Sequence, residues 1–201
     1  GYGGTSGAVL TTTTDLIAQS GNTWYVDSVT GSDAATPRGR DRARPLATLA
    51  QAITNAVDNR GDVIYLMPGF AQTISVAGGV TVNKIGVTII GLGNDADMPE
   101  FTFSATGSTF LISAANVTVK NIIGLPSVDS VVSAFSITAA GVTLGTPDGP
   151  VIWRDASTTV EALRAVLTNT AANDLTINLR FEGFTAGDAN VNAIRLVGCD
   201  D

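Results

Sequence analysis

The chain has 201 residues, a net charge of −7, 22 Gly, one Cys and no His. That length fits one domain, or one domain plus an arm, and holds a sizeable core. Lack of His excludes His-dependent hydrolase triads and typical zinc sites. Cys199 alone forms no internal disulfide, an acidic chain is a poor partner for phosphate, and no apolar run approaches the roughly 18 residues of a membrane helix. Neither nucleic acid nor a membrane is therefore expected as a partner, and the sequence calls for no cofactor and no metal.

Residues 1–23 are rich in Gly and Thr, with Thr11, Thr12, Thr13 and Thr14 at the centre. Such a segment packs no core by itself and reads either as a disordered leader or as an arm that orders against a neighbouring subunit. Trp24-Tyr25-Val26-Asp27 opens the folded part as a strand, and Gly31-Ser32-Asp33 turns it. Next comes a loop that concentrates positive charge at Arg38, Arg40, Arg42 and Arg44. It reads as a solvated loop or as a contact for an acidic protein surface. With Thr11 to Thr14, these arginines are the candidate assembly contacts.

Pro45 suits the first position of a helix, and Leu46, Leu49, Ile53 and Val57 follow at helical spacing with Thr48, Gln51, Asn55 and Asp58 opposite. A helix over about 45–59, ended by Gly61, is predicted to cap one end of the fold. Asp62-Val63-Ile64-Tyr65-Leu66 is the first core strand, broken at Met67-Pro68-Gly69.

Beyond it, five phrases repeat an apolar–Thr–apolar pattern: Val80-Thr81-Val82, Val87-Thr88-Ile89, Val117-Thr118-Val119, Val142-Thr143-Leu144 and Leu175-Thr176-Ile177. Alternation turns Thr to one face and the apolar pair to the other. The last four recur after 30, 25 and 33 residues. A second series runs in step through Phe110 and Ile112, then Phe135 and Ile137, then Leu163 and Ile194, the last two because Val160–Val166 lines up with Val191–Val197. The linking residues also match, Ile112-Ser-Ala-Ala-Asn-Val-Thr-Val119 against Ile137-Thr-Ala-Ala-Gly-Val-Thr-Leu144. Two strands with a two- or three-residue corner, repeated each turn with loops of variable length, describe a coil of a parallel β-solenoid. The expected core ladder is Val87, Ile89, Phe110, Ile112, Val117, Val119, Phe135, Ile137, Val142, Leu144, Leu163, Leu175, Ile177 and Ile194.

The run from Trp24-Tyr25-Val26-Asp27 and Gly31-Ser32-Asp33, through Pro45-Leu46-Ala47-Thr48-Leu49 and Ala52-Ile53, to Gly61-Asp62-Val63-Ile64 and Pro68-Gly69 resembles the opening of pectin-lyase-like right-handed β-helix proteins. It also resembles a subset carried as virion proteins by tailed bacteriophages. The likeness implies an all-β, right-handed parallel β-helix over residues 24–201 and continuing beyond them, with an N-terminal extended arm and one capping α-helix. It further implies a structural protein on the virion surface, first of all a homotrimeric capsid decoration or cementing protein in contact with phage capsid or tail proteins. The alternatives are a tail fibre or spike or a glycan-binding adhesin that meets host glycans, and a polysaccharide lyase or hydrolase.

For an enzyme, the resemblance implies acidic calcium ligands with an Arg or Lys base in a polysaccharide lyase, or clustered Asp residues in a hydrolase. Lys120, Arg154, Arg164, Arg180 and Arg195 are available, as are Asp155, Asp174 and Asp188, with Arg164 and Arg195 at equivalent positions of the aligned phrases. Asp95, Asp97 and Glu100 offer oxygen ligands short of a calcium cage and read as a solvated turn. Thr158-Thr-Val-Glu161 fits a helix capping box, although the alignment argues for strand. Asp174–Phe181 reads as one long alternating strand. No catalytic residue is expected from these pieces.

Overall fold

The computed structural model describes residues 21–34, 38–154, 164–182 and 194–197. Strand β1 (Thr23–Val26) precedes helix α1 (Leu49–Asn55). The chain then winds through three parallel sheets in a fixed order. The first circuit uses β2 (Val63–Leu66), β3 (Ala71–Ile74) and β4 (Val80–Val82). The next uses β5 (Thr88–Gly91), β6 (Glu100–Phe103) and β7 (Phe110–Ile112), followed by β8 (Thr118–Lys120), β9 (Ile122–Pro126) and β10 (Phe135–Ile137). Then come β11 (Thr143–Leu144), β12 (Val151–Arg154) and β13 (Val166–Thr168), and finally β14 (Thr176–Ile177), β15 (Leu179–Glu182) and β16 (Ile194–Arg195). The sheets stack as β1-β2-β5-β8-β11-β14, β3-β6-β9-β12-β15 and β4-β7-β10-β13-β16. This is a parallel β-solenoid with three strands per coil, where the repeat alone suggested two.

The Thr phrases coincide with the first sheet. Thr88, Thr118, Thr143 and Thr176 pair in register, as do Ile89, Val119, Leu144 and Ile177 beside them. Val80-Thr81-Val82 belongs elsewhere, to the third sheet, where Val80, Phe110, Phe135 and Val166 align. Inward side chains fill the bore. Val87, Ile89, Phe110, Ile112, Val117, Val119, Phe135, Ile137, Val142 and Leu144 are all buried, and Leu175 and Ile177 are half-buried against the same core. Phe103, Phe135 and Trp153 pack with ring centroids 5.6 to 6.5 Å apart, and Phe101 meets Phe110 edge-on at 5.3 Å. Gly124 sits between Phe101 and Trp153 in the second sheet, where a Cβ would stand 3.1 Å from both Phe135 and Trp153. A small residue there makes room for the large ones above and below.

One corner recurs in every coil and explains the aligned linkers. Asn59, Gly86, Asn116, Gly141 and Asp174 all have φ between +50° and +72°. The N–H of each of the first four donates to the residue preceding the next, at Ile85, Ala115, Ala140 and Asn173, over 2.9 to 3.0 Å. A left-handed corner favours Gly, with Asn and Asp as the tolerated alternatives. Asn116 and Gly141 therefore alternate at one structural position.

Three sequence expectations shift. The helix is shorter than 45–59, because the Thr48 side chain accepts from the Gln51 N–H as N-cap and Ala56 is already extended. Leu46 instead bridges to Val26 as a strand residue, and Val57 is 46% exposed. Leu163 and Ile194 are not register partners, since Val166 pairs with Ile194 and Leu167 with Arg195, which also removes the equivalence of Arg164 and Arg195. Leu163 itself lies outside the described residues, and Ile194 is 39% exposed on the last strand of its sheet rather than in the core. Asp174–Phe181 is not one strand, for β14 and β15 are separated at Asn178, whose N–H donates to Leu144 as the chain passes from one sheet to another.

Candidate functional site

Two places concentrate charged or polar chemistry, the N-terminal end and the outer ladder of ion pairs. At the N-terminal end, α1 packs on β1, β2 and β4 and buries Leu49, Ala52 and Ile53. Beneath it stands Asp62, whose residue surface is 0% exposed. Asp62 precedes β2 by one residue. The register of Val63 with Thr88 puts it in the column that continues as Val87, Val117 and Val142, so a carboxylate occupies an inward position.

Every acceptor site on that carboxylate is used. Oδ1 accepts from the Asn22 N–H and Arg60 Nε, both at 2.7 Å. Oδ2 accepts from Arg60 Nη2 at 2.6 Å, the Val57 N–H at 3.1 Å and Trp24 Nε1 at 3.4 Å. Burial pushes the Asp62 carboxyl up, but Arg60, the two backbone donors and the indole outweigh it and hold the pKa down at about 2. The group is a tie joining strand, helix end and loop. Sequence reasoning passed over it, although Asp62 lies 25 residues before Val87, one coil in the repeat.

The other described carboxylates divide in the same way. Asp27 accepts from the Val29 N–H at 2.8 Å and the Thr30 hydroxyl at 2.6 Å. Burial raises the Asp27 pKa, and these bonds lower it by more. Asp33 accepts from the Ala47 N–H and the Thr48 hydroxyl, Asp41 from the Ala43 N–H and Asp58 from the Ile85 N–H. Lys120 pairs with Asp148 at 3.0 Å, and Glu182 receives both Arg154 and Arg180 at 3.1 and 3.2 Å. These contacts fix turns and neighbouring coils. Asp95 and Asp97 form an exposed 3-10 turn. Among the described residues, no group of three His, Cys, Asp or Glu side chains is placed to hold a metal ion.

The candidate assembly contacts are brought together only in part. Arg40, Arg42 and Arg44 lie exposed on a loop that flanks β1, with Arg38 half-buried beside them. The loop is pinned by Tyr25 N–H to Gly39 O at 2.7 Å, Gly39 N–H to Arg44 O at 2.8 Å and Leu46 N–H to Tyr25 O at 2.9 Å. The Arg40 guanidinium stands 4.9 Å from the centre of the Trp24 ring. Thr11 to Thr14, the capping box at Thr158, Asp155 and Asp188 lie outside the described residues.

At the far end, Ala172, Asn173, Asp174, Leu175, Ile177 and Leu196 line a shallow, mostly apolar hollow of about 240 Å³. Leu196 is 56% exposed there. Among the described residues the hollow brings one carboxylate, Asp174, and no Lys or Arg to its lining.

No family model and no curated protein matches this sequence. Among solved structures the chain is similar to a rhamnogalacturonan lyase, with a TM-score of 0.51 and 17% identity over 89% of this chain and 51% of that one. The chain thus spans about half the length of that lyase. At this identity the likeness concerns backbone architecture, and the chain accordingly has the parallel β-solenoid of the pectin-lyase-like fold.

Proposed function

We propose that this chain is a structural building block rather than an enzyme. In this reading it is a decoration or cementing protein on the surface of a tailed-phage virion, assembled as a homotrimer, with the Thr11–Thr14 arm or the Arg38–Arg44 loop touching the shell. The observation that supports the non-catalytic part is the employment of seven of the twelve described acids, the exposed Asp95, Asp97, Asp129 and Asp174 being among those outside it. Asp27, Asp33, Asp41, Asp58, Asp62, Asp148 and Glu182 are each engaged in a turn, a cap or an ion pair. A glycosidic bond is cleaved by carboxylates or a base held free to meet substrate, and side chains committed to the scaffold do not do this. The virion part rests on the resemblance of about residues 24–125, and of the rest through the ladder, to phage β-helix proteins.

The polysaccharide-acting reading has one observation in its favour, the likeness to a rhamnogalacturonan lyase. Fold alone does not carry activity across. Quantitative mass spectrometry of virus particles purified from the source of the sequence separates the possibilities. Copies in the hundreds fit a shell decoration, and a few to a few tens fit a tail fibre or spike. Absence from particles overturns the virion reading. Release of unsaturated or reducing sugar ends from a panel of polysaccharides by the purified chain overturns the non-catalytic one.

A further inference from the structure

The loop at residues 38–44 holds four of the eleven basic residues and one of the eighteen acidic ones, so it is positive in a chain of net −7. Of the seven cations elsewhere, four find partners within the chain: Arg60 takes Asp62, Lys120 takes Asp148, and Arg154 and Arg180 share Glu182, while Lys84, Arg164 and Arg195 stand apart in sequence with no ion pair among the described residues. Among the described residues no carboxylate lies within ion-pair distance of Arg38, Arg40, Arg42 or Arg44. The Nε of Arg38 is buried and has no acceptor among the described residues. The one acid of the loop, Asp41, is used internally, accepting from the Ala43 N–H at 2.9 Å. All four cations are Arg, whose planar fork matches a carboxylate bidentately where Lys offers a point charge.

The loop is also held ready. Its backbone bonds to Tyr25 and its own Gly39–Arg44 closure fix its course, and Trp24 supports Arg40 by cation–π contact. Little ordering entropy is then lost when a partner arrives. The partner that the sequence itself provides is its own body. With the loop removed from the count, the remainder of the chain carries 17 acids against 7 bases. Asp95 and Asp97 both lie on one exposed 3-10 turn with no ion pair among the described residues.

We infer that the Arg38–Arg44 loop docks onto the Asp95–Asp97 turn of a second copy of this chain. Such a contact joins two different patches, so repetition gives a ring where the rotation between copies closes and an open filament where it does not. The inference rests on the assembly reading above and specifies which contact is made between copies, leaving the shell to the arm. Double-stranded DNA fits the loop less well, because the acidic body around four arginines repels phosphate.

The test is sedimentation velocity of the full chain at about 50 and about 500 mM NaCl, a range over which exposed charge pairs are progressively screened. Association at low salt, weakened at least about tenfold at high salt, is expected. The double variant Arg42→Glu with Arg44→Glu is expected to sediment as a monomer with an unchanged circular dichroism melt, as is Asp95→Arg with Asp97→Arg. Mixing the two in equal amounts is expected to restore salt-sensitive association with the two variants alternating, because the reversed loop of one meets the reversed turn of the other and the native loop of the second meets the native turn of the first. A wild-type chain that stays monomeric at low salt overturns the inference, and so does an oligomer indifferent to salt or to loop reversal, or binding of a DNA duplex by a chain that does not self-associate. Should a variant fail to fold, the salt titration of the wild type still decides. Particle copy number and the polysaccharide panel read the structural role separately, so failure of the contact is distinguishable from failure of that role.

Discussion

Replacing Asp62 by Asn tests whether the buried carboxylate ties down the N-terminal end of the solenoid. The substitution is nearly isosteric, yet it removes the charge that faces Arg60 and sets an amide N–H₂ against donors from Asn22, Val57 and Trp24. Breaking a fully buried pair costs about 3–5 kcal/mol. Arg60 is 29% exposed and can turn to water, so the expected loss is lower, about 2–3 kcal/mol. The pH dependence gives an independent figure. A carboxyl moved from an ordinary 3.8 down to about 2 is worth on the order of 2 kcal/mol at about 1.4 kcal/mol per unit. Because the folded value lies below the unfolded one, this stability is fully present above pH 3.8 and disappears as the pH falls through about 2. Urea unfolding between pH 2 and 7, followed by far-ultraviolet circular dichroism, is the assay. Asp62→Asn should shift the midpoint down near neutrality and lose less than the wild type on acidification. Trp24 fluorescence should report the loosened end at lower urea than the global signal, since repeat folds can fray from a terminus. Equal midpoints at pH 7, or parallel acid profiles for the two proteins, would refute the tie.

Four further substitutions probe the stack. Gly86→Ala and Gly141→Ala both place a Cβ at φ near +70°, and the left-handed backbone alone costs about 1 kcal/mol. The new methyl at 86 has only the Asn59 Cα, at 3.9 Å, whereas at 141 it overlaps the Asn116 side-chain oxygen, so thermal unfolding should place Gly141→Ala clearly below Gly86→Ala. Gly124→Val overfills the space between Phe135 and Trp153 and should cost about 1–3 kcal/mol, read as a lower denaturant midpoint with altered Trp fluorescence. Val142→Asp buries an unpaired charge at a fully enclosed position and should leave no cooperative transition; an unchanged melt contradicts the inward column of the first sheet.

The sequence revealed the first sheet because its physics repeats in letters. Each of β5, β8, β11 and β14 needs an apolar residue inward and tolerates Thr outward, and each is preceded by a left-handed corner that only Gly, Asn or Asp fills comfortably. The second sheet was hidden for the opposite reason. Ile123 and Ile152 are buried on the outer side of their strands and form a separate apolar cluster with Met98, so β9 and β12 read as unbroken apolar runs without alternation. The last coils misled because Val160–Val166 and Val191–Val197 agree in residue type three positions away from the pairing that the backbone makes, Val166 with Ile194. Matching letters locate a strand only when corner and bore constrain them together.

The same division explains why chemistry is harder to read here than architecture. In a solenoid the inward positions answer to every neighbouring coil, so a polar residue among them stands out once the register is known, as Asp62 does against Val87, Val117 and Val142. Outward positions answer to solvent and to partners, and apart from the Thr column of the first sheet their identity carries no period. Arg154 and Arg180 could not be told from the loop arginines by composition, yet the fold gives them Glu182 and leaves Arg40, Arg42 and Arg44 without a carboxylate among the described residues. It is the pairing within the chain, visible only after folding, that separates charges belonging to the scaffold from charges left for a partner. The salt dependence of self-association measures that second set directly, because screening acts most on exposed pairs and least on a buried one such as Arg60 with Asp62.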